Sequence, residues 1–149
     1  MLQVLDAAAL RRWCAAGVEA LRAAREEVDA LNVYPVPDGD TGTNLLLTMQ
    51  AAQEAVQAAG PDLAATVHAL SRGALLGARG NSGVILSQLL RGLWADLPEA
   101  GAGPAELRAG LARAADLAWA AVAAPVEGTV LSVARAAAEG AAGDDLAGV

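Results

Sequence analysis

The sequence predicts an all-α fold, and both its composition and its pattern support this prediction. Of the 149 residues, 39 are alanine, the strongest helix former, whereas only 3% are aromatic and none is phenylalanine. With 55% hydrophobic residues, the core must consist of small aliphatic side chains, which favours closely packed helices. Apolar residues also recur at the spacing of amphipathic helices. We expect one helical domain over residues 1–149, with no room for a second domain.

The first helix is predicted from about Asp6 to Leu31, because apolar residues recur there at three- to four-residue spacing between Arg and Glu positions. The helix cannot continue through Pro35 and Pro37, since each proline disfavours helix at the residue before it and removes a backbone donor. A loop over residues 32–42 is expected to follow.

Two further helices are predicted before residue 80. The second begins near Thr43 and is stopped by Gly60 and Pro61. Asp62 can then cap a third helix that runs to about Arg79. Together with the first helix, these elements occupy the N-terminal half of the chain.

Three more helices are predicted in the second half. The glycine-rich segment 80–83 precedes a fourth helix that ends before Pro98, and Pro104 opens a fifth that reaches about Ala123. A sixth is expected from Val126 to about Ala142. The tail over residues 143–149 is expected to fray.

Charge and composition exclude several classes of function. The net charge is −7 and no lysine occurs, so duplex nucleic acid is not an expected partner, and mechanisms that need a catalytic or phosphate-binding lysine are excluded. The single cysteine excludes an internal disulfide. We expect a cytoplasmic protein that does not insert into membranes, because neither a signal-peptide pattern nor a long uncharged apolar run is present.

The loop before the second helix carries the clearest chemical signal. Asp38 and Asp40 lie two residues apart, bounded by prolines, and such a pair can bind a hard cation. The spacing that follows does not match a calcium-binding EF-hand, whereas Mg²⁺ needs only one or two carboxylates and completes its shell with water and phosphate oxygens. The residues expected to face those phosphates are Thr41, Gly42, Thr43 and Asn44. The alternative is that both aspartates only shape a turn and Thr43 only caps a helix.

The break over residues 77–83 follows the same logic. Asn81 or Ser82 would begin a helix whose dipole points at an anion. Gly73 and Gly77 share one helix face, where another helix or a ligand could approach closely. The alternative is an ordinary turn between helices. Two such helix starts in one small domain favour the functional interpretation.

Three segments of this chain resemble a known family. Residues 32–44, NVYPVPDGDTGTN, residues 77–88, GARGNSGVILSQ, and residues 125–135, PVEGTVLSVAR, are together similar to the N-terminal nucleotide-binding domain of bacterial fatty acid kinase. That domain belongs to the wider family of dihydroxyacetone kinase L-subunits (DhaL-like domains). The resemblance implies an up-and-down antiparallel helical barrel of about eight helices, of which about six are visible here, with ADP or ATP and two Mg²⁺ ions at one end.

The resemblance also implies roles for individual residues. Asp38 and Asp40 match the metal-binding aspartates, and residues 41–44 match the turn that contacts phosphate. Asn81 and Ser82 fall on the second phosphate-binding segment, and Thr129 matches a nucleotide-contacting position. These roles make Asp38 and Asp40 the catalytic residues, acting through the metal.

Two positions differ from the pattern of dihydroxyacetone kinase subunits. Those subunits have a further metal-binding aspartate upstream, for which Asn32 is the nearest match here, in a loop one residue longer. They also carry a histidine where this chain has Thr41, which favours the fatty acid kinase branch.

The implied function is that of a Mg-ATP-binding module of a fatty acid kinase. Such a kinase makes acyl phosphate from a fatty acid held by a separate DegV-like fatty acid-binding protein. A dihydroxyacetone kinase L-type subunit and a non-catalytic helical interaction module are the alternatives. The family's segment after the third match is absent, so we expect a fragment or a truncated module, inactive alone. The oligomeric state stays open, a homo-oligomer included.

Overall fold

The computed structural model describes residues 4–33 and 36–141. These residues form six α-helices and no β-strand, so the prediction of an all-α bundle is confirmed. The helices are α1 (Ala7–Leu31), α2 (Thr41–Ala58), α3 (Leu63–Leu76), α4 (Gly80–Trp94), α5 (Pro104–Ala120) and α6 (Val130–Gly140). The expected fraying of residues 143–149 lies outside the described residues.

The helices alternate in direction along the chain, and each packs against the next. Arg11, near the start of α1, reaches the end of α2, whereas Asp29, near the end of α1, reaches the start of α2. The starts of α2 and α4 lie side by side. The Thr48 hydroxyl of α2 accepts a hydrogen bond from the N–H of Arg79, the residue that precedes α4. Within the described residues α1 and α6 do not pack directly on each other, although both line the cavity described below.

Several predicted helix boundaries were wrong by a few residues. The second helix begins at Thr41, two residues before Thr43, and α3 ends at Leu76 because Gly77 is its C-cap. The sixth helix begins at Val130 rather than Val126, because the Thr129 hydroxyl accepts a hydrogen bond from the Leu131 N–H and so caps the helix there. The fifth helix ends at Ala120, three residues before its predicted end.

Small residues set the distance between helices. A Cβ atom added to Gly92 would lie 2.5 Å from Cα of Ala114, and one added to Gly110 would lie 2.3 Å from the carbonyl oxygen of Leu93. Contacts this short leave no space for a side chain at either glycine, so α4 and α5 pack with their backbones nearly touching. The close approach predicted at Gly73 and Gly77 is likewise made by a helix, since both glycines face alanines of α2.

Two arginine side chains donate hydrogen bonds to carbonyl groups at the C-terminal ends of α2 and α4. Arg11 donates to the carbonyl oxygen of Gly60 at 2.6 Å, just beyond the end of α2. Arg113 donates to the carbonyl oxygen of Ala95 at 2.7 Å, just beyond the end of α4. Helix C-termini expose unpaired carbonyl groups and a partial negative charge, so both arginines stabilise them.

The core is mostly apolar, and its one thiol is buried. Cys14 is fully buried and unpaired, and burial raises its pKa to about 11, so it stays protonated at neutral pH. None of the helices in the described ranges combines the length and the hydropathy needed to cross a membrane. The largest fully buried apolar side chains are Trp94, Leu10, Leu70, Val18 and Val56.

We expect Gly92→Ala and Gly110→Ala each to lower the free energy of unfolding by about 1–3 kcal/mol. Alanine has the higher helix propensity, but its methyl group would force α4 and α5 apart. Thermal unfolding followed by circular dichroism measures the change. Gly140→Ala is the matched control, because nothing lies within 4 Å of its added Cβ atom. Unchanged melting temperatures for both core variants would contradict this account of the packing.

Candidate functional site

A cavity of about 960 Å³ lies at the end of the bundle where the even-numbered helices begin. Its walls come from the end of α1, the loop before α2, the starts of α2, α4 and α6, and the segment after α5. Most of the residues singled out from the sequence share this cavity. They are Asn32, Asp38, Asp40, Thr41, Asn44, Asn81, Ser82 and Thr129.

The two acidic residues lie on the exposed rim of the cavity. Gly39, between them, has a φ of 66°, a left-handed conformation that glycine adopts without strain. The Asn32 side-chain amide donates a hydrogen bond to Oδ1 of Asp38 at 2.5 Å, which fixes the orientation of that carboxylate. Asp40 occupies the N-cap position of α2 but makes no capping hydrogen bond with its side chain. Its carboxylate is therefore not engaged by the helix it precedes.

Gly42 and Thr43 do not line the cavity, although the sequence placed them with the phosphate-contacting residues. Asp29 of α1 accepts hydrogen bonds from the Thr43 backbone N–H at 3.0 Å and from its hydroxyl at 2.7 Å. A Cβ atom added to Gly42 would lie 2.4 Å from the carbonyl oxygen of Arg25. These two residues attach α2 to α1.

Asp29 is a polar residue that sequence reasoning missed. The hydrogen bond from the Thr43 hydroxyl is the main reason that its pKa lies below the ordinary value, and backbone N–H groups of Thr43 and Gly42 add to the effect. Partial burial acts in the opposite direction and is outweighed. An aspartate near the end of an amphipathic helix carries no local signal for such a role.

Thr48 joins the two helix starts that face the cavity. Its buried hydroxyl accepts a hydrogen bond from the Arg79 N–H at 3.1 Å and donates one to the Asn44 carbonyl oxygen at 2.7 Å. Gly83 packs directly on it, since an added Cβ atom would lie 2.4 Å from the threonine Oγ1. Sequence reasoning also missed Thr48, because a threonine in the middle of a helix gives no local sign that its hydroxyl bonds another helix.

The side chains at these two helix starts also meet each other. The Ser82 and Thr41 hydroxyl groups are 3.4 Å apart, and Asn44 lies against Gly80. Gly80 has a φ of 58°, and a Cβ atom there would lie 2.5 Å from Nδ2 of Asn44. The amide and hydroxyl groups of two distant sequence segments therefore form one polar wall.

The start of α6 forms the opposite wall. The Thr129 hydroxyl donates to the Val126 carbonyl oxygen at 2.8 Å while it caps the helix, so its first role is to shape this turn. The Arg135 guanidinium lies 4.0 Å from the ring centroid of Trp119 and 3.7 Å from the Glu127 carboxylate. This stacking and ion pair hold α6 and its preceding loop on α5.

Most of the remaining lining is apolar and comes from α1, α4, α6, the loop before α2 and the segment after α5. Combined with the polar wall, it suits a ligand with an anionic end and an apolar body. The N-termini of three helices face the cavity, and the partial positive charge of these helix ends favours an anion. The apolar lining includes Val28, Leu31, Val84, Ile85, Val130 and Leu131.

The donor set near the rim fits a hard cation that keeps several waters. No group of three His, Cys, Asp or Glu side chains suited to a metal occurs in residues 4–33 and 36–141. Asp38 and Asp40 supply two carboxylates, and the amide oxygen of Asn32 is the third oxygen nearby, since its nitrogen is used by Asp38. Two carboxylates with open positions match the way Mg²⁺ binds together with phosphate, and do not match zinc.

Comparison with known proteins identifies the family. Residues 35–147 match the DAK2 domain, which covers most of the chain and includes both acidic residues of the rim and all three cavity-facing helix starts. The chain belongs to the DAK2 domain family. This family is kinase-related and associated with nucleotide binding, so the resemblance to dihydroxyacetone kinase L-subunits is confirmed at that level.

The curated proteins that resemble this chain do not define the reaction. Protein YloV of Bacillus subtilis is 46% identical over 140 residues, which cover 93% of this chain and 25% of the relative. Two uncharacterized staphylococcal proteins, SSP1546 of Staphylococcus saprophyticus and SH1689 of Staphylococcus haemolyticus, are 44% and 48% identical and are covered over 26% and 21% of their lengths. The chain thus spans about a quarter of the length of these relatives.

We expect Thr48→Val to lower the free energy of unfolding by about 1–3 kcal/mol. Valine fills the same space but removes the acceptor of the Arg79 N–H from a partly buried hydrogen bond. Thr48→Ser keeps the hydroxyl and should retain most of this stability. Chemical denaturation of the three proteins measures the difference. Equal stability of the valine variant and the wild type would show that the hydroxyl does not hold the helix starts together.

We expect the charge of Asp29 to stabilise the fold at neutral pH and to lose this effect in acid. Its folded pKa is lowered, so the contribution is complete above the unfolded pKa of about 4 and disappears as the pH falls through the folded pKa. The melting temperatures of wild type and Asp29→Asn should therefore differ most near pH 7 and converge towards pH 3. A difference in melting temperature between the two proteins that stays constant from pH 7 to pH 3 would contradict the expectation.

Proposed function

We propose that this DAK2 domain is the Mg-ATP-binding module of a phosphotransferase, and specifically of a fatty acid kinase. The observation that carries the proposal is the convergence of the Asp38–Asp40 pair and three helix N-termini on one cavity. The family supports a kinase-related nucleotide site, and the cavity has the size of a small-molecule site. A cytoplasmic location belongs to the same proposal.

In this proposal each group of residues has a separate task. Asp38 and Asp40 would hold Mg²⁺, with the Asn32 amide oxygen as a weaker third ligand. The metal, when bound, offsets the negative charge of the phosphates. Thr41, Asn44, Asn81 and Ser82 would donate hydrogen bonds to phosphate oxygens, together with the backbone N–H groups that begin α2 and α4.

The apolar walls and the start of α6 would hold the nucleoside. Thr129 lies on that side of the cavity, and Arg135 keeps the wall in place through Trp119. The protein supplies position and electrostatics in this scheme and needs no nucleophile of its own. The absence of lysine is compatible with this, because helix N-termini and metal provide the positive charge.

The phosphoryl acceptor is the finer part of the proposal. The resemblance favours a fatty acid presented by a separate DegV-like fatty acid-binding protein, with acyl phosphate as the product. A dihydroxyacetone kinase L-type subunit is the second candidate, because the DAK2 family as a whole relates to that enzyme. ATP consumption by the full-length protein, measured with a loaded fatty acid carrier or with dihydroxyacetone and its partner subunit, separates the two. Activity with neither, and no binding of Mg-ATP, would favour the non-catalytic interaction module.

We expect Asp38→Ala and Asp40→Ala to abolish Mg²⁺-dependent ATP binding and turnover while leaving the melting temperature nearly unchanged. Both carboxylates are exposed, and Asp40 makes no capping hydrogen bond, so little folding energy depends on either. Isothermal titration of the full-length protein with ATP, with and without Mg²⁺, measures the effect. Asp116→Ala removes an exposed carboxylate of α5 outside the cavity lining and is the control. Wild-type turnover in the Asp38→Ala, Asp40→Ala double variant would overturn the assignment.

A further inference from the structure

Three of the helices in the described part of the chain begin after an aspartate, and one of these aspartates behaves differently. Asp6 and Asp62 have extended backbones, and each accepts a hydrogen bond from the N–H three residues later, at 2.7 Å for Ala9 and 2.8 Å for Ala65. Asp40 has φ −126° and ψ 6°, and its side chain makes no such bond. The first turn of α2 is therefore not capped by its own N-cap residue.

The missing acceptor comes from another helix. Thr43 stands three residues after Asp40, the position that Ala9 and Ala65 hold in their helices, and its N–H donates to Oδ1 of Asp29 at 3.0 Å. The second oxygen of Asp29 accepts the Thr43 hydroxyl at 2.7 Å. Asp29 thus caps α2 from the last turns of α1.

We propose that Asp29 is a positioning residue whose cap on α2 keeps the Asp40 carboxylate directed to the cavity and available to a divalent cation. This inference rests on the proposed function. An aspartate at an N-cap ordinarily turns its carboxylate towards the first-turn N–H groups, and a carboxylate used there is less available to a metal. With that donor taken by Asp29, Asp40 has no such competing partner.

The arrangement around Asp29 agrees with this role. Asp40 lines the cavity, whereas Asp29 and Thr43 do not. The lowered pKa of Asp29 shows that its hydrogen bonds favour the ionised form, the better acceptor for an N–H group. Gly42 permits the approach, because a side chain there would collide with the α1 backbone at Arg25.

Stability without metal or nucleotide gives the first test. Asp40→Ala should hardly change the melting temperature of the wild type, but should lower it by about 3–6 °C in an Asp29→Ala background, where Asp40 can turn and cap α2. Asp62→Ala, which removes an ordinary cap, should cost a similar amount in the wild type. Additive effects of the Asp29 and Asp40 substitutions would overturn the inference and leave the proposed function untouched.

Hydrogen exchange decides the question if Asp29→Ala does not fold. The Thr43 amide should keep its protection in Asp40→Ala, because its acceptor is Asp29. Loss of that protection would show that Asp40 is the true cap and would overturn the inference.

The Mg²⁺ dependence of ATP binding by the full-length protein gives the second test. Asp29→Ala should raise the Mg²⁺ concentration at which ATP binding is half-maximally enhanced by about fivefold, which is the factor expected from the loss of one ordinary helix cap. ATP binding without metal should not change. Asp62→Ala should lose similar stability without this shift, and Asp29→Asn, which keeps an acceptor oxygen, should largely restore the wild-type value. Equal shifts in Asp29→Ala and Asp62→Ala, or no shift in either, would overturn the inference. Absence of any Mg²⁺-dependent binding in the wild type would instead overturn the proposed function.

Discussion

Close packing of small side chains is the constraint on which this bundle depends. Glycines on α3, α4 and α5 lie against neighbouring backbone or alanine side chains with no space for a methyl group. At such short distances a helix cannot slide or rotate without a collision, so the relative heights of the helices are fixed. The alternating directions then bring the starts of α2, α4 and α6 to one end, where they surround the cavity.

The polar groups near the cavity divide into two sets. Asp29 and Thr48 point away from it and satisfy backbone groups at the starts of α2 and α4. Asp38, Asp40, Asn81 and Ser82 line it. Backbone N–H groups at helix starts need hydrogen-bond acceptors. When residues outside the cavity provide these acceptors, the side chains that line the cavity stay available to a ligand.

The family assignment and the geometry constrain different parts of the function. Membership in the DAK2 family indicates a kinase-related nucleotide-binding module, and the structure shows which groups line the cavity of the proposed site. Neither identifies the phosphoryl acceptor of the proposed kinase, because the relatives are uncharacterized or carry only a protein name. An assay with each candidate acceptor is the direct test of that part of the proposal.

The sequence by itself determined the all-α class, the number of described helices, the acidic loop and the glycine break, because each depends on composition or on neighbours within a few residues. Most of the residues that it singled out line the cavity, whereas Gly42 and Thr43 do not. Only the tertiary structure decided that Thr43 faces α1, that Asp29 caps α2 and that Thr48 joins α2 to the start of α4. Those hydrogen bonds connect residues 14 and 31 positions apart, and no local pattern records an acceptor that lies on another helix.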